Sequence, residues 1–220
     1  MEEGTPKVRK QIIKHEKEEA ISERRLLLSY KKNRSAARCP LKVYQNMIDI
    51  TEKAIKNAGN QPEVTKADHW TVNGVDYPLE KGKVFFKDDE MDRNMIVGSW
   101  LSRITGRPVE LQPIVVEPKH TKTCDFIFID DGTKVELKSF NNTGFDPNKN
   151  YINAKLGTGY GQANVFIVDI TDLSISPENA VSFLDETMGY ANRQFIHIVY
   201  LKKGDMLVGV YKKRTPCPET

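Results

Sequence analysis

The stretch KTCDFIFIDDGTKVELKSF constrains the fold more than any other part of the chain. Two runs of β-branched and aromatic residues flank Asp131-Gly132, and Asp-Gly between such runs is a strong hairpin signal, because both central positions of a tight hairpin turn need positive φ. One predicted strand begins at Asp125. The other carries Glu136-Leu137-Lys138. Side chains alternate along a strand with period two, so Glu136 and Lys138 project from the same face. Pairing around the turn brings Asp125 toward them. Two hard carboxylates beside one ammonium suit a Mg²⁺ or Mn²⁺ site at a phosphodiester, where the cation neutralises phosphate charge and acidifies water. Lys138 would orient that water or stabilise the added negative charge of the transition state.

The elements around this hairpin read as α/β. Pro6 to Tyr30 is charged and free of Gly, and LKVYQNMIDITEKAIKNAG has apolar residues near helical spacing before Gly59, so two helices are expected there. WTVNGVDYPLEKGKVFF alternates around Asn73-Gly74 and Lys81-Gly82, which predicts short strands joined by turns. A helix follows over about Asp88–Thr105. Asp88, Asp89, Glu90 and Asp92 favour its dipole's positive end, and Gly106 with Pro108 stops it. VELQPIVV is a predicted strand, a helical segment is expected near Tyr151 to Gly161, and NVFIVDI reads as a central strand buried on both faces. Ser176 and Pro177 open another helix as N-cap and first residue. FIHIVYL and MLVGVY around Lys203-Gly204-Asp205 close the chain as a hairpin. The expected division is a helical basic extension over 1–65 and an α/β domain over 66–220.

Charge adds a partner class. Eleven Lys or Arg stand against six Glu between Met1 and Arg38, and five against one Asp from Lys202 to Arg214, a distribution that suits a polyanion or a solvated surface equally. Three separated cysteines, Cys39, Cys124 and Cys217, with no CxxC pair, argue against a disulfide framework or structural zinc. His120 and Cys124 find no second pair to complete a zinc tetrahedron. GTGYG lacks the Lys-Ser or Lys-Thr of a phosphate-binding loop. No run approaches signal-peptide or membrane-span character, so the expectation is no membrane partner and a cytoplasmic site of action.

Asp125, then Glu136-x-Lys138, between an acidic helix and a helix leading into Val165–Ile170, resembles the PD-(D/E)xK nuclease superfamily, whose core order is αβββαβ. GSWLSRITGRPVELQPIV, KTCDF and GYGQANVFIVDITDLSISPENA are similar to the tRNA-nuclease domain at the C-terminus of CdiA contact-dependent inhibition toxins, also found on phage minor-head proteins. The likeness spans about Asp88 to Arg214. It implies metal ligation by Asp125 and Glu136, catalysis by Lys138, and a supporting amide at Gln162 on the helix behind the site. It also implies a metal-binding acid on the first helix, for which Glu90 is the candidate, with Asn94 one turn further on. Lys134 and Lys155 are the candidate nucleic-acid contacts. Cys124 replaces the usual proline before the aspartate and adds a thiol, a soft ligand, beside the metal. The implied activity is a Mg²⁺- or Mn²⁺-dependent nuclease cleaving tRNA as a toxin domain, partnered by an immunity protein. A DNA endonuclease and a phage structural module with a vestigial core are the alternatives.

Each residue also has a structural reading. Asp125 would cap a turn, and Glu136 with Lys138 would be a surface ion pair worth ~0.2–1 kcal/mol. Gln162 would be a helix-end amide and Glu90 a surface acid. Asp169 and Asp172 flank a strand end where polar residues collect, and His197 reads as a core-edge residue.

Overall fold

A computed structural model of the chain describes residues 62–140 and 149–212. The two expected N-terminal helices, with Cys39, Cys217 and Arg214, lie outside the described residues.

The first strand, β1 (Val64–Lys66), is followed by a small hairpin, β2 (His69–Val72) and β3 (Val75–Pro78). Asn73 and Gly74 form its turn at φ 51° and 75°, the left-handed pair that the Asn-Gly signal anticipates. After β4 (Val84–Phe85), α1 runs over Asp88–Thr105 with three acids in its first turn. It ends where Gly106, at φ 67°, donates its N–H to Ser102 O. Here sequence and structure agree to the residue, because both ends carry local signals. VELQPIVV departs from expectation. Pro113 offers no N–H for a ladder, and the run splits into β5 (Val109–Leu111) and β6 (Ile114–Val115), which pairs with β4 in a separate ribbon.

Next come β7 (Phe126–Phe128), β8 (Lys134–Ser139), α2 (Lys149–Thr158), β9 (Val165–Asp169), α3 (Pro177–Met188), β10 (Ile198–Lys203) and β11 (Met206–Lys212). Ser176 Oγ accepts the Asn179 N–H and caps α3 as read from the sequence. Among the described residues the main sheet has the order β1-β5-β7-β8-β9-β10-β11. It is mixed: β8, β9 and β10 are parallel neighbours, while β5-β7, β7-β8 and β10-β11 are antiparallel. The expected boundary between 65 and 66 falls inside β1, whose residues pair with β5 from Val64 onward. The described α/β unit therefore begins before that boundary.

Two apolar cores flank the sheet. On one face Val97, Trp100, Leu101 and Ile104 of α1 pack on Phe126, Phe128, Val135, Leu137 and Ile167. On the other, Ile152 and Leu156 of α2 and Ala180, Leu184 and Met188 of α3 pack on Phe166, Val168 and Val199. All of β9 is buried, as its unbroken apolar run requires of a strand covered on both sides. None of the described helices is long and apolar enough to cross a membrane.

Candidate active site

Antiparallel register decides the site. Phe126 pairs with Val135, so Asp125, one residue earlier, stands opposite Glu136. Val135 and Leu137 enter the α1 core, whereas Glu136 and Lys138 are aligned with Phe166 and Val168, which enter the core under α2 and α3. The three polar side chains therefore share one face. Asp125 Oδ2 accepts the Leu137 backbone N–H at 2.7 Å, across the hairpin. Lys138 Nζ donates to Glu136 Oε1 at 2.6 Å and to Gln162 Oε1 at 3.4 Å. Gln162 Nε2 in turn donates to the Thr123 carbonyl at 3.0 Å, which links the approach to β7 with the lysine.

Gln162 is not on a helix. Helix α2 ends at Thr158, and Gln162 lies in the turn leading to β9, after Gly161 at φ 79°. Apolar spacing alone carries the expected helix past its end, because Gly159 and Gly161 interrupt it without disturbing the pattern. Gly159 also leaves room for the site. A Cβ there would stand 2.7 Å from Phe166 Cζ and 3.2 Å from Lys138 Cε. Because Phe166 is fully buried, Gly159→Ala should overpack the core and cost about 1–3 kcal/mol. Denaturant unfolding checks this, and an unchanged midpoint would mean that the ring moves freely.

Glu136 and Lys138 are buried, at 5% and 9% exposure, so theirs is not the surface ion pair of the structural reading. Burial, then the adjacent Asp125 carboxylate, pushes Glu136 up to about 7, against the pull of Lys138. Burial also raises Asp125, opposed by the Leu137 N–H. Two adjacent buried carboxylates, both raised, mark a place that holds extra positive charge cheaply. Glu136 Oε2 and Asn94 Oδ1 are buried oxygens with no hydrogen-bond partner. Unsatisfied buried acceptors of this kind fit an oxygen-seeking cation.

Glu90, in the first turn of α1, lines a small cleft with Asn94, Thr123, Cys124 and Asp125, and its charge contributes to raising Asp125. Its carboxylate is engaged by Lys87 Nζ at 3.2 Å. Among the described residues no three Asp, Glu, His or Cys side chains converge to hold a metal by themselves. Of the expected ligands Glu90, Asp125 and Glu136, Glu90 lies in the same cleft as Asp125 and forms a part-exposed pair with Lys87. Asn94 is the α1 residue that presents an unsatisfied oxygen. One or two protein carboxylates, completed by water and substrate oxygens, are the usual complement for Mg²⁺.

Cys124 is buried beside Asp125. Burial lifts its thiol to about 12, so in the metal-free protein it is protonated and packs as a small apolar side chain. Lys134, exposed at the start of β8, shares the face of Glu136 and lines a larger cleft beside the cluster. Lys155 lies in the last turn of α2 and lines neither cleft. Asp169 is committed to Lys202 Nζ at 2.9 Å, Asp172 is exposed, and His197 is exposed rather than at a core edge. The sequence reading passed over Trp70, Tyr77 and Lys122, which line the larger cleft. For Trp70 and Tyr77 the local signal was the alternation of the β2–β3 hairpin, and Lys122, before β7, carried none.

Compared with family models, with curated proteins and with solved structures, the chain matches none.

Proposed function

We propose that the protein is a divalent-metal-dependent phosphodiesterase, a nuclease of the PD-(D/E)xK type. The observation that carries this reading is the buried Glu136 carboxylate, shared between Asp125 and Lys138, with its second oxygen unsatisfied. With β6 left aside, since it pairs with β4 outside the main sheet, the chain order α1-β5-β7-β8-α2-β9 runs α, β, β, β, α, β, as in that superfamily, and supports the same reading.

Asp125 and Glu136 are the residues that would hold Mg²⁺ or Mn²⁺. Such an ion, when bound, supplies charge neutralisation at the phosphate and a more acidic water. The protein's own part is positional. Glu136 Oε1 and Gln162 Oε1 fix Lys138 Nζ from two sides, which leaves its remaining proton to donate to a water or to a non-bridging phosphate oxygen. A preorganised ammonium in a desolvated site stabilises the developing charge without reorganisation. Attack of water on phosphorus breaks the P–O bond to the leaving ribose oxygen, which takes up a proton. tRNA as the substrate, a toxin role and an immunity partner belong to this proposal through the resemblance of the sequence.

Incubation with total tRNA and, separately, plasmid DNA in Mg²⁺, Mn²⁺ and EDTA tests the reading. Cleavage of tRNA that EDTA abolishes is expected. Cleavage of plasmid alone would transfer the activity to DNA, and cleavage of neither with either metal would sink the nuclease reading.

Metal affinity should also depend on pH in a stated direction. Glu136 is raised from 4.5 to about 7, so its protonated form suits the metal-free fold. That contribution to stability is complete below 4.5 and is lost as pH rises through about 7. A metal needs the ionised form, so the Mg²⁺-induced rise in melting temperature should grow as pH increases from about 6 to about 8. A metal effect that is flat or shrinks over this range would remove Glu136 from the ligand set.

A further inference from the structure

Resting on the nuclease reading, we infer that the cleft between the β2–β3 hairpin and the approach to Asp125 binds one unpaired nucleotide of the substrate strand. The cavity has a volume of about 460 Å³, within the roughly 300–1,000 Å³ of small-ligand sites. Trp70 and Tyr77 line it, with ring centroids 5.3 Å apart and planes tilted by 46°. Both rings are only half-buried, so apolar faces remain available on a hairpin that contributes to neither main core.

Charge in the same cleft fits the same occupant. Lys122 and Lys134 line the cleft together with Thr123 and Cys124. Lys122 Nζ donates to the Tyr160 carbonyl and lies 5.2 Å from the centroid of that exposed ring. Aromatic faces and two ammonium groups lining one cleft are what a base and its backbone phosphate require, and a base stacks whatever its sequence. Position ties the cleft to the chemistry. Thr123 and Cys124 line both this cleft and the smaller one that contains Asp125 and Glu90. A strand with its scissile phosphate at Asp125 and Glu136 therefore has this cleft beside it. A paired base cannot enter, because its faces are covered by its neighbours in the helix.

The test uses the full chain carrying Lys138→Ala, which prevents turnover, and a fluorescently labelled single-stranded oligoribonucleotide beside the duplex of the same sequence. Anisotropy should show tighter binding of the single strand. Trp70→Ala should weaken that binding roughly 5- to 150-fold, as expected for loss of one stacked base, and Trp70→Phe should restore most of it. Lys134→Glu should weaken binding and reduce its salt dependence, since a phosphate contact is lost. Equal affinity for single strand and duplex, or unchanged binding in Trp70→Ala with folding verified by circular dichroism, would overturn the inference. Failure here is separable from failure of the nuclease reading. An active parent enzyme whose Trp70→Ala variant keeps its KM for tRNA refutes the cleft alone. A parent that binds the single strand through Trp70 but cleaves no nucleic acid refutes the nuclease alone.

Discussion

Lys138→Ala should reduce cleavage by about 10²–10³-fold while the fold and metal binding persist. Lys138 Nζ stands 2.6 Å from Glu136 Oε1 and 3.4 Å from Gln162 Oε1, so truncation leaves no ammonium aimed at the site. Removing one partner of a buried ion pair usually costs several kcal/mol, because the other charge is stranded. Glu136 escapes much of that penalty. It is already raised to about 7 beside Asp125, so in the metal-free variant it takes up a proton near neutral pH, which a bound cation, replacing the lost positive charge, displaces. Glu136→Ala should behave differently, losing metal affinity together with activity because a ligand is gone. Cleavage assays and calorimetric Mg²⁺ or Mn²⁺ titrations on both variants separate the two roles. Full activity in Lys138→Ala would mean that another group does the chemistry.

Asp169→Ala should be the more damaging change to stability, at about 3–5 kcal/mol. Asp169 and Lys202 are 8% and 4% exposed, with Lys202 Nζ 2.9 Å from Asp169 Oδ2. Lys202 lies 5.9 Å from the centroid of Trp100, in the α1 core, where water cannot solvate a stranded ammonium. Asp169 also accepts the Thr171 N–H at 3.0 Å, which ties the end of β9 to the chain beyond it. In register Asp169 is opposite Ser139, one residue beyond Lys138, so its side chain points to the other face of the sheet from the candidate site. The loss should therefore appear in chemical denaturation, while metal affinity of the folded fraction stays unchanged. Asp169→Leu combined with Lys202→Met should recover much of the stability, because neither charge is then buried alone. A cost below ~1 kcal/mol for Asp169→Ala would show that the pair acts like an exposed one.

What the sequence determined by itself was whatever a few adjacent residues enforce. Asn73-Gly74 set a tight turn because few other residues tolerate its backbone angles, whereas in the longer turn at Asp131-Gly132 only Gly132 takes positive φ. Ser176-Pro177 started α3 and Gly106 stopped α1, since caps answer the unsatisfied groups at helix ends within one turn. Period-two alternation was enough to place Glu136 and Lys138 on one face. Tertiary structure decided what depends on groups far apart in the chain. Gln162 meets Lys138 only because the turn before β9 folds back beside β8, and Asn94 lines the Asp125 cleft only because α1 packs against β5. The elevated pKa of Glu136 and the protonated Cys124 come from burial by several elements at once, and desolvation leaves no trace in residue spacing. Trp70 and Tyr77 became a cleft wall only when their hairpin came to rest beside Thr123 and Lys134. Asp169 acquired its partner from a strand thirty-three residues away, because parallel pairing of β9 with β10 aligns residues whose separation in sequence is set by the helix between them.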